Sequence, residues 1–112
     1  MLNITVEKCN DFGFILLDGE IDMYVAPIMR TALLDACKKY PKGVAVDLTG
    51  VPYIDSSGIA TLVEGLQLSR KGECRLVLVG PQQNVQDTFK LAKLHTLFEM
   101  YASKEEALAG LR

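Results

Sequence analysis

A small α/β fold, with a mixed and mostly parallel β-sheet, an N-terminal hairpin and about four helices, is predicted by three features of this 112-residue sequence. Short β-branched apolar runs alternate with segments of helical periodicity, as βαβ units require. Only turn residues separate the first two runs, so these form a hairpin rather than a crossover. Glycine or proline closes most segments. The length suits one hydrophobic core and is short for two, so residues 1–112 are read as a single domain.

Taken in order, "LNITVEK" at 2–8 alternates apolar and polar residues, the pattern of a half-buried strand. "GFILLDG" at 13–19 is a second short apolar run, and the intervening "CNDFG" is rich in turn formers. Pro27 then stands where a helix's first turn tolerates its missing N–H. Met29, Leu33, Ala36, Cys37 and Tyr40 recur at helical spacing until Pro41 and Gly43 end the pattern. "VAVDL" at 44–48 reads as a buried strand. In the next helix Ile59, Leu62, Val63 and Leu66 share one face, and Gly72 is its stop. "CRLVLVG" at 74–80 is another buried strand; Val85, Phe89, Ala92 and Leu94 mark a third helix, which would carry His95. A short strand is expected around "LFEMY". Ser103-Lys104-Glu105-Glu106 matches a capping box before a last helix through Leu108 and Leu111. The order β-β-α-β-α-β-α-β-α implies right-handed crossovers and gathers several strand-to-helix loops along one sheet edge.

Composition excludes several classes. Hydrophobic residues make up 49% and charged residues 23%, which is globular, and a net charge of −2 lacks the basic excess of nucleic-acid binding. No apolar run reaches membrane-spanning length and the N-terminus has no signal-peptide pattern, so a cytoplasmic protein without direct membrane insertion is expected. Cys9, Cys37 and Cys74 show no C-x-x-C spacing and are read as reduced, partly buried thiols. No cofactor or metal pattern is present: nothing matches a phosphate-binding loop, and Asp22 with Asp55 would be a meagre ligand set for a hard cation. A serine hydrolase would need a G-x-S-x-G elbow and a histidine base, and His95 is the only histidine. Asp47 in "VAVDLTG" raises the thought of a phospho-aspartate receiver, but paired acids after the first strand are missing. A strand-end acid with a local hydrogen bond is the simpler reading. No catalytic residue is therefore assigned, and an enzyme is not expected.

The most informative stretch is "YIDSSGIATLVEGLQ" at 53–67. Asp55, Ser56 and Ser57 each suit a helix N-cap, where a short side-chain oxygen accepts a free amide bond. One cap needs only one of them. With Ser57 as the cap, Ser56 is left on the loop, where a phosphoryl group would meet free amides and the positive helix end. It would also add about −1.5 to −2 charges beside Asp55, and near Glu20 and Asp22 if the two loops share an edge. Tyr53 would suit a contact surface if exposed, although packing is the commoner role of such a residue. Glu64 and Gln67 lie off the apolar face of the second helix and are open to a partner.

At "VAVDLTGVPYIDSSGIATLVEGLQ" the sequence resembles the STAS domain family, whose best-known soluble members are bacterial anti-sigma factor antagonists. "LDGEID" at 17–22 and "RLVLVGPQQNVQDTFKLAKLHTLFEMYASKEEAL" extend the likeness over nearly the whole chain. The resemblance implies a non-enzymatic binding module in signalling and the regulation of transcription. Unmodified, it would bind an anti-sigma factor that is also a serine kinase; phosphorylation at Ser56 would break that binding, and a phosphatase would reset it. Ser57 would then be the helix cap, and Gly58 would let the loop approach the partner closely. Gly19, Glu20 and Asp22 would flank the docking surface. Similar domains also serve as cytoplasmic subunits of ABC-type phospholipid transport systems, so a transporter permease is the alternative partner.

Overall fold

The computed structural model describes residues 2–72 and 74–112. Its elements are β1 (Asn3–Cys9), β2 (Phe12–Asp18), α1 (Ala26–Lys39), β3 (Val44–Gly50), α2 (Ser56–Lys71), β4 (Leu76–Val79), α3 (Gln83–Leu91), β5 (Glu99–Tyr101) and α4 (Lys104–Leu111). They form a five-stranded sheet in the order β1-β2-β3-β4-β5, with β1 antiparallel to β2 and every later pair parallel. The expected small mixed α/β fold with its N-terminal hairpin is the fold observed. Cys9 pairs with Phe12, so Asn10 and Asp11 alone make the turn. Asn10 takes a positive φ of 58°, which asparagine tolerates better than most residues.

Strand periodicity sorts the core into two layers. Ile15, Leu17, Val44, Val46, Leu48, Leu76 and Leu78 face Met29 and Leu33 of α1, Ile59 and Leu62 of α2, and Val85 and Phe89 of α3. Phe12, Phe14, Ala45, Val77 and Val79 project from the other face onto Ala107 and Leu111 of α4. Each crossover steps to the next strand in the same direction, so a single hand of connection puts α1, α2 and α3 on one face. Only α4, which follows the last strand, covers the other.

Three local expectations need correction. The half-buried alternation read in β1 holds weakly: that strand is the sheet edge, and Val6 remains 44% exposed because no further strand flanks it. His95 lies in the turn beyond α3, which stops at Leu91 because Lys93 adopts a left-handed backbone. In the last capping box Ser103 Oγ accepts from the Glu106 amide at 3.2 Å as expected. The Glu106 carboxylate, however, reaches one residue further, to the Ala102 amide.

At the edge strand β5, the Arg75 guanidinium pairs with the Glu99 carboxylate and also donates to the Gly110 carbonyl at 2.6 Å, tying the segment before β4 to β5 and α4. Arg75 holds Glu99 below the usual carboxylate range. The folded chain therefore favours the anion. Its stabilisation is present above the ordinary glutamate range and is lost as pH falls through the depressed folded value. Both partners are exposed, which limits the effect to less than about 1 kcal/mol. Glu99→Gln should be slightly less stable than the parent in urea denaturation at about pH 7, and the gap should close as pH falls through the depressed Glu99 value.

Candidate functional site

The loops after β2 and β3 are stitched together at the carboxyl end of the parallel strands. Beyond β2, Gly19 takes a φ of 128°, a backbone region that side chains disfavour, and its amide donates to the Gly50 carbonyl at 3.0 Å. This bend carries the chain into an isolated parallel bridge between Ile21 and Ile54. The Ile21 amide donates to Tyr53 O and the Asp55 amide to Ile21 O, both at 3.0 Å. Both isoleucines are buried, so the bridge anchors the loops to the core as well as to each other.

The bridge decides how α2 starts. Asp55 is the last extended residue (φ −97°, ψ −178°), and its Oδ1 accepts from the Gly58 amide at 3.0 Å. Asp55 is therefore the N-cap. The expected assignment of the cap to Ser57 is incorrect, because pairing of the Asp55 amide with Ile21 ends the extended segment there and Ser56 and Ser57 are already in the first helical turn. With the Asp55 amide given to Ile21 and the Gly58 amide to Asp55, the amides of Ser56 and Ser57 are the free donors of that turn. Ser56 is exposed and Ser57 half-buried. Removing the cap in Asp55→Ala should lower stability by about 1 kcal/mol in urea denaturation.

Gly58 is buried, and a Cβ at its position would come within 2.6 Å of Ile21 Cγ2 and 2.7 Å of Ile54 Cγ1. Within the chain, the close approach that this glycine permits is to the Ile21–Ile54 bridge. Glu64 is not free: it is half-buried and paired with Arg30 of α1 at 2.5 Å.

The expected shared edge exists. Glu20 is exposed, and Asp22 is half-buried with Oδ1 accepting from the Tyr24 and Val25 amides at 2.9 and 3.2 Å, which organises the turn into α1. Both acidic side chains with a capping role are thus engaged by backbone amides. Among the described residues no group of three or more His, Cys, Asp or Glu side chains is placed to hold a metal ion. Asp47 accepts from the backbone amide and hydroxyl of Thr49, at 2.8 and 2.7 Å, the local hydrogen bond expected of it.

The loops after β2 and β3 and the end of α3 display more apolar surface than the sequence alone indicates. Tyr53 is 50% exposed, Met23 62%, Tyr24 81% and Leu91 86%. Ser56 itself borders a groove between α2 and α3 lined by Ile59, Ala60, Thr88, Leu91 and Leu94. Met23, Tyr24 and Leu91 were not anticipated. Large apolar residues in the loop between Asp22 and Pro27 were the available signal, whereas Leu91 is displayed only because α3 ends beside α2. From below, Gln82 Nε2 donates to Thr49 O at 2.9 Å and Asn84 Nδ2 donates to Pro52 O, bracing the loop that carries Tyr53 and Asp55.

A family model described as "STAS domain" matches residues 3–107. The chain belongs to the STAS domain family. An anti-sigma-B factor antagonist of Listeria monocytogenes is 31% identical to this STAS domain over 102 residues, covering 88% of this chain and 90% of the relative. A crystal structure of an anti-sigma factor antagonist from Mycobacterium paratuberculosis superposes with a TM-score of 0.90 at 23% identity, over 100% of this chain and 95% of that one. The Bacillus cell fate determinant SpoIIAA in its phosphorylated form superposes with a TM-score of 0.75 at 20% identity, over 98% of this chain and 100% of that one. Among the described residues of the STAS domain, no helix is long and apolar enough to cross a membrane.

Proposed function

We propose that this STAS domain is an anti-sigma factor antagonist controlled by phosphorylation of Ser56. Unmodified, it binds an anti-sigma factor that is also a serine kinase and so frees the sigma factor; phosphate on Ser56 releases the partner, and a phosphatase restores the binding form. The observation that carries the reading is the placement of Ser56: exposed, first in α2, beside two free amides and bordering the apolar groove between α2 and α3. A phosphoryl group there is stabilised by the helix terminus, so modification leaves the fold intact. The same group adds about −1.5 to −2 charges to an edge that already holds Glu20, Asp22 and Asp55, which changes what that edge binds. The relatives named as anti-sigma-B factor antagonists support the choice of partner.

Ser56 and Ser57 are adjacent hydroxyls, so the decisive measurement is site-resolved. Incubation with ATP and the anti-sigma kinase from the same genome should give one phosphate, located at Ser56 by peptide mass mapping. Ser56→Ala should abolish it and Ser57→Ala should retain it. Phosphate on Ser57, or none on either serine, would overturn the switch. Copurification with a transporter permease and ATPase in its place would point to the transport-subunit role.

A further inference from the structure

We infer that Cys37 and Cys74 form a redox-active dithiol, a modification site that a peroxide converts to an intramolecular disulfide tying α1 to the segment after α2. Although 37 positions separate them in sequence, the two sulfurs lie 2.7 Å apart. The fold brings them together at the amino end of the parallel strands. There the Cys74 amide donates to Ser69 O at 2.7 Å and the Val44 amide donates to Arg75 O at 2.8 Å, fixing the entry to β4 against the exit from α1.

Access and chemistry are divided between the two thiols. Cys74 is buried and Cys37 half-buried, and a groove between α1 and α2, lined by Leu34, Pro41, Leu68 and Ser69, reaches both. A small oxidant therefore has a path to Cys37. The Cys74 S–H is positioned to donate to Cys37, which holds the Cys37 thiol below its ordinary value and pushes Cys74 upward. Cys37, the more accessible sulfur, is thus the attacking group and Cys74 the resolving thiol.

In the first step the Cys37 sulfur attacks the peroxide; an S–O bond forms, the O–O bond breaks, and the departing oxygen takes a proton to leave as water or an alcohol. Cys37 is then a sulfenic acid. In the second step the Cys74 sulfur gives up its proton and attacks the Cys37 sulfur; the S–S bond forms, the S–O bond breaks, and the oxygen leaves as water. Two thiols have lost two electrons and the peroxide has gained them. Cys9 cannot substitute, because it packs with the residues beneath α4, on the opposite face of the sheet. The pair also sits at the far end of α2 from Ser56, roughly 20 Å along a 16-residue helix, so it stands apart from the phosphorylation reading.

The test uses the full chain, reduced and freed of reductant, then exposed to a small excess of hydrogen peroxide, quenched with N-ethylmaleimide in denaturant and mapped by mass spectrometry. Expected are the loss of two hydrogens, a linked Cys37–Cys74 peptide, alkylation at Cys9 alone, and full reversal by dithiothreitol. Cys9→Ser should form the link at the same rate. In Cys74→Ser, Cys37 should stop at sulfenic acid and be captured by dimedone. Crosslinks through Cys9, disulfide-linked dimers, or Cys37 over-oxidised while Cys74 remains alkylated would each overturn the inference. The parent chain and Cys9→Ser carry the test if the other variant fails to fold.

Discussion

Ser56→Asp is expected to raise the stability of the STAS domain slightly while weakening its grip on an anti-sigma partner at least tenfold. The two effects have opposite signs, which makes the result diagnostic. In the first turn of α2 a carboxylate meets the free amides of Ser56 and Ser57 and the positive helix end, worth roughly 0.3 to 1 kcal/mol to the fold. At the interface it joins Asp55, Asp22 and Glu20 on one edge. Docking must then strip water from one more carboxylate on that edge, which costs several kcal/mol, and about 1.4 kcal/mol is already tenfold in affinity. Urea denaturation would measure the first effect and calorimetric titration of the partner the second. Affinity that survives the substitution would remove the electrostatic basis of the switch. Because Ser57 is half-buried, Ser57→Asp directs less of its charge outward and should weaken binding less.

Gly58→Ala should destabilise the fold by about 1 to 2 kcal/mol even though alanine is the better helix former. Propensity favours the change by up to about 1 kcal/mol. Against it, the added methyl would press to 2.6 and 2.7 Å on Ile21 and Ile54, side chains branched close to the backbone and buried with no room to retreat. Overpacking of this kind costs about 1 to 3 kcal/mol, so the clash wins. Gly65 is the internal control. There the nearest atom is the Cδ1 end of Leu33 at 3.1 Å, which can rotate, and Gly65→Ala should come out near neutral by the same urea denaturation. The Gly58 variant should also loosen the Ile21–Ile54 bridge, seen as faster amide exchange at Ile21 and Asp55. Unchanged exchange there would contradict this account of the site.

Elements were readable wherever a local rule governs them. Apolar runs in β2, β3 and β4 and the Ile59, Leu62, Leu66 stripe of α2 depend on the sequence period alone, and the helix pattern of Met29, Leu33 and Ala36 needs no partner to be recognised. The acidic edge was anticipated only conditionally. Glu20, Asp22 and Asp55 meet because Ile21 pairs with Ile54, and nothing within either loop announces a bridge across 33 residues of chain. The exposed Met23, Tyr24 and Leu91 escaped for a related reason: exposure depends on what does not pack over a residue.

The DSSG stretch shows the division most clearly. From the sequence alone it follows that a helix begins there, that one short polar side chain caps it, and that at least one serine is left over, because capping needs a single oxygen and three candidates stand in a row. Which residue caps was decided by the tertiary structure. The Asp55 amide is drawn to Ile21 across the loops, extended backbone ends at that residue, and both serines fall inside the first turn. The same dependence brings Cys37 and Cys74 together: neither spacing nor composition couples two cysteines whose only link is that α1 ends where β4 begins.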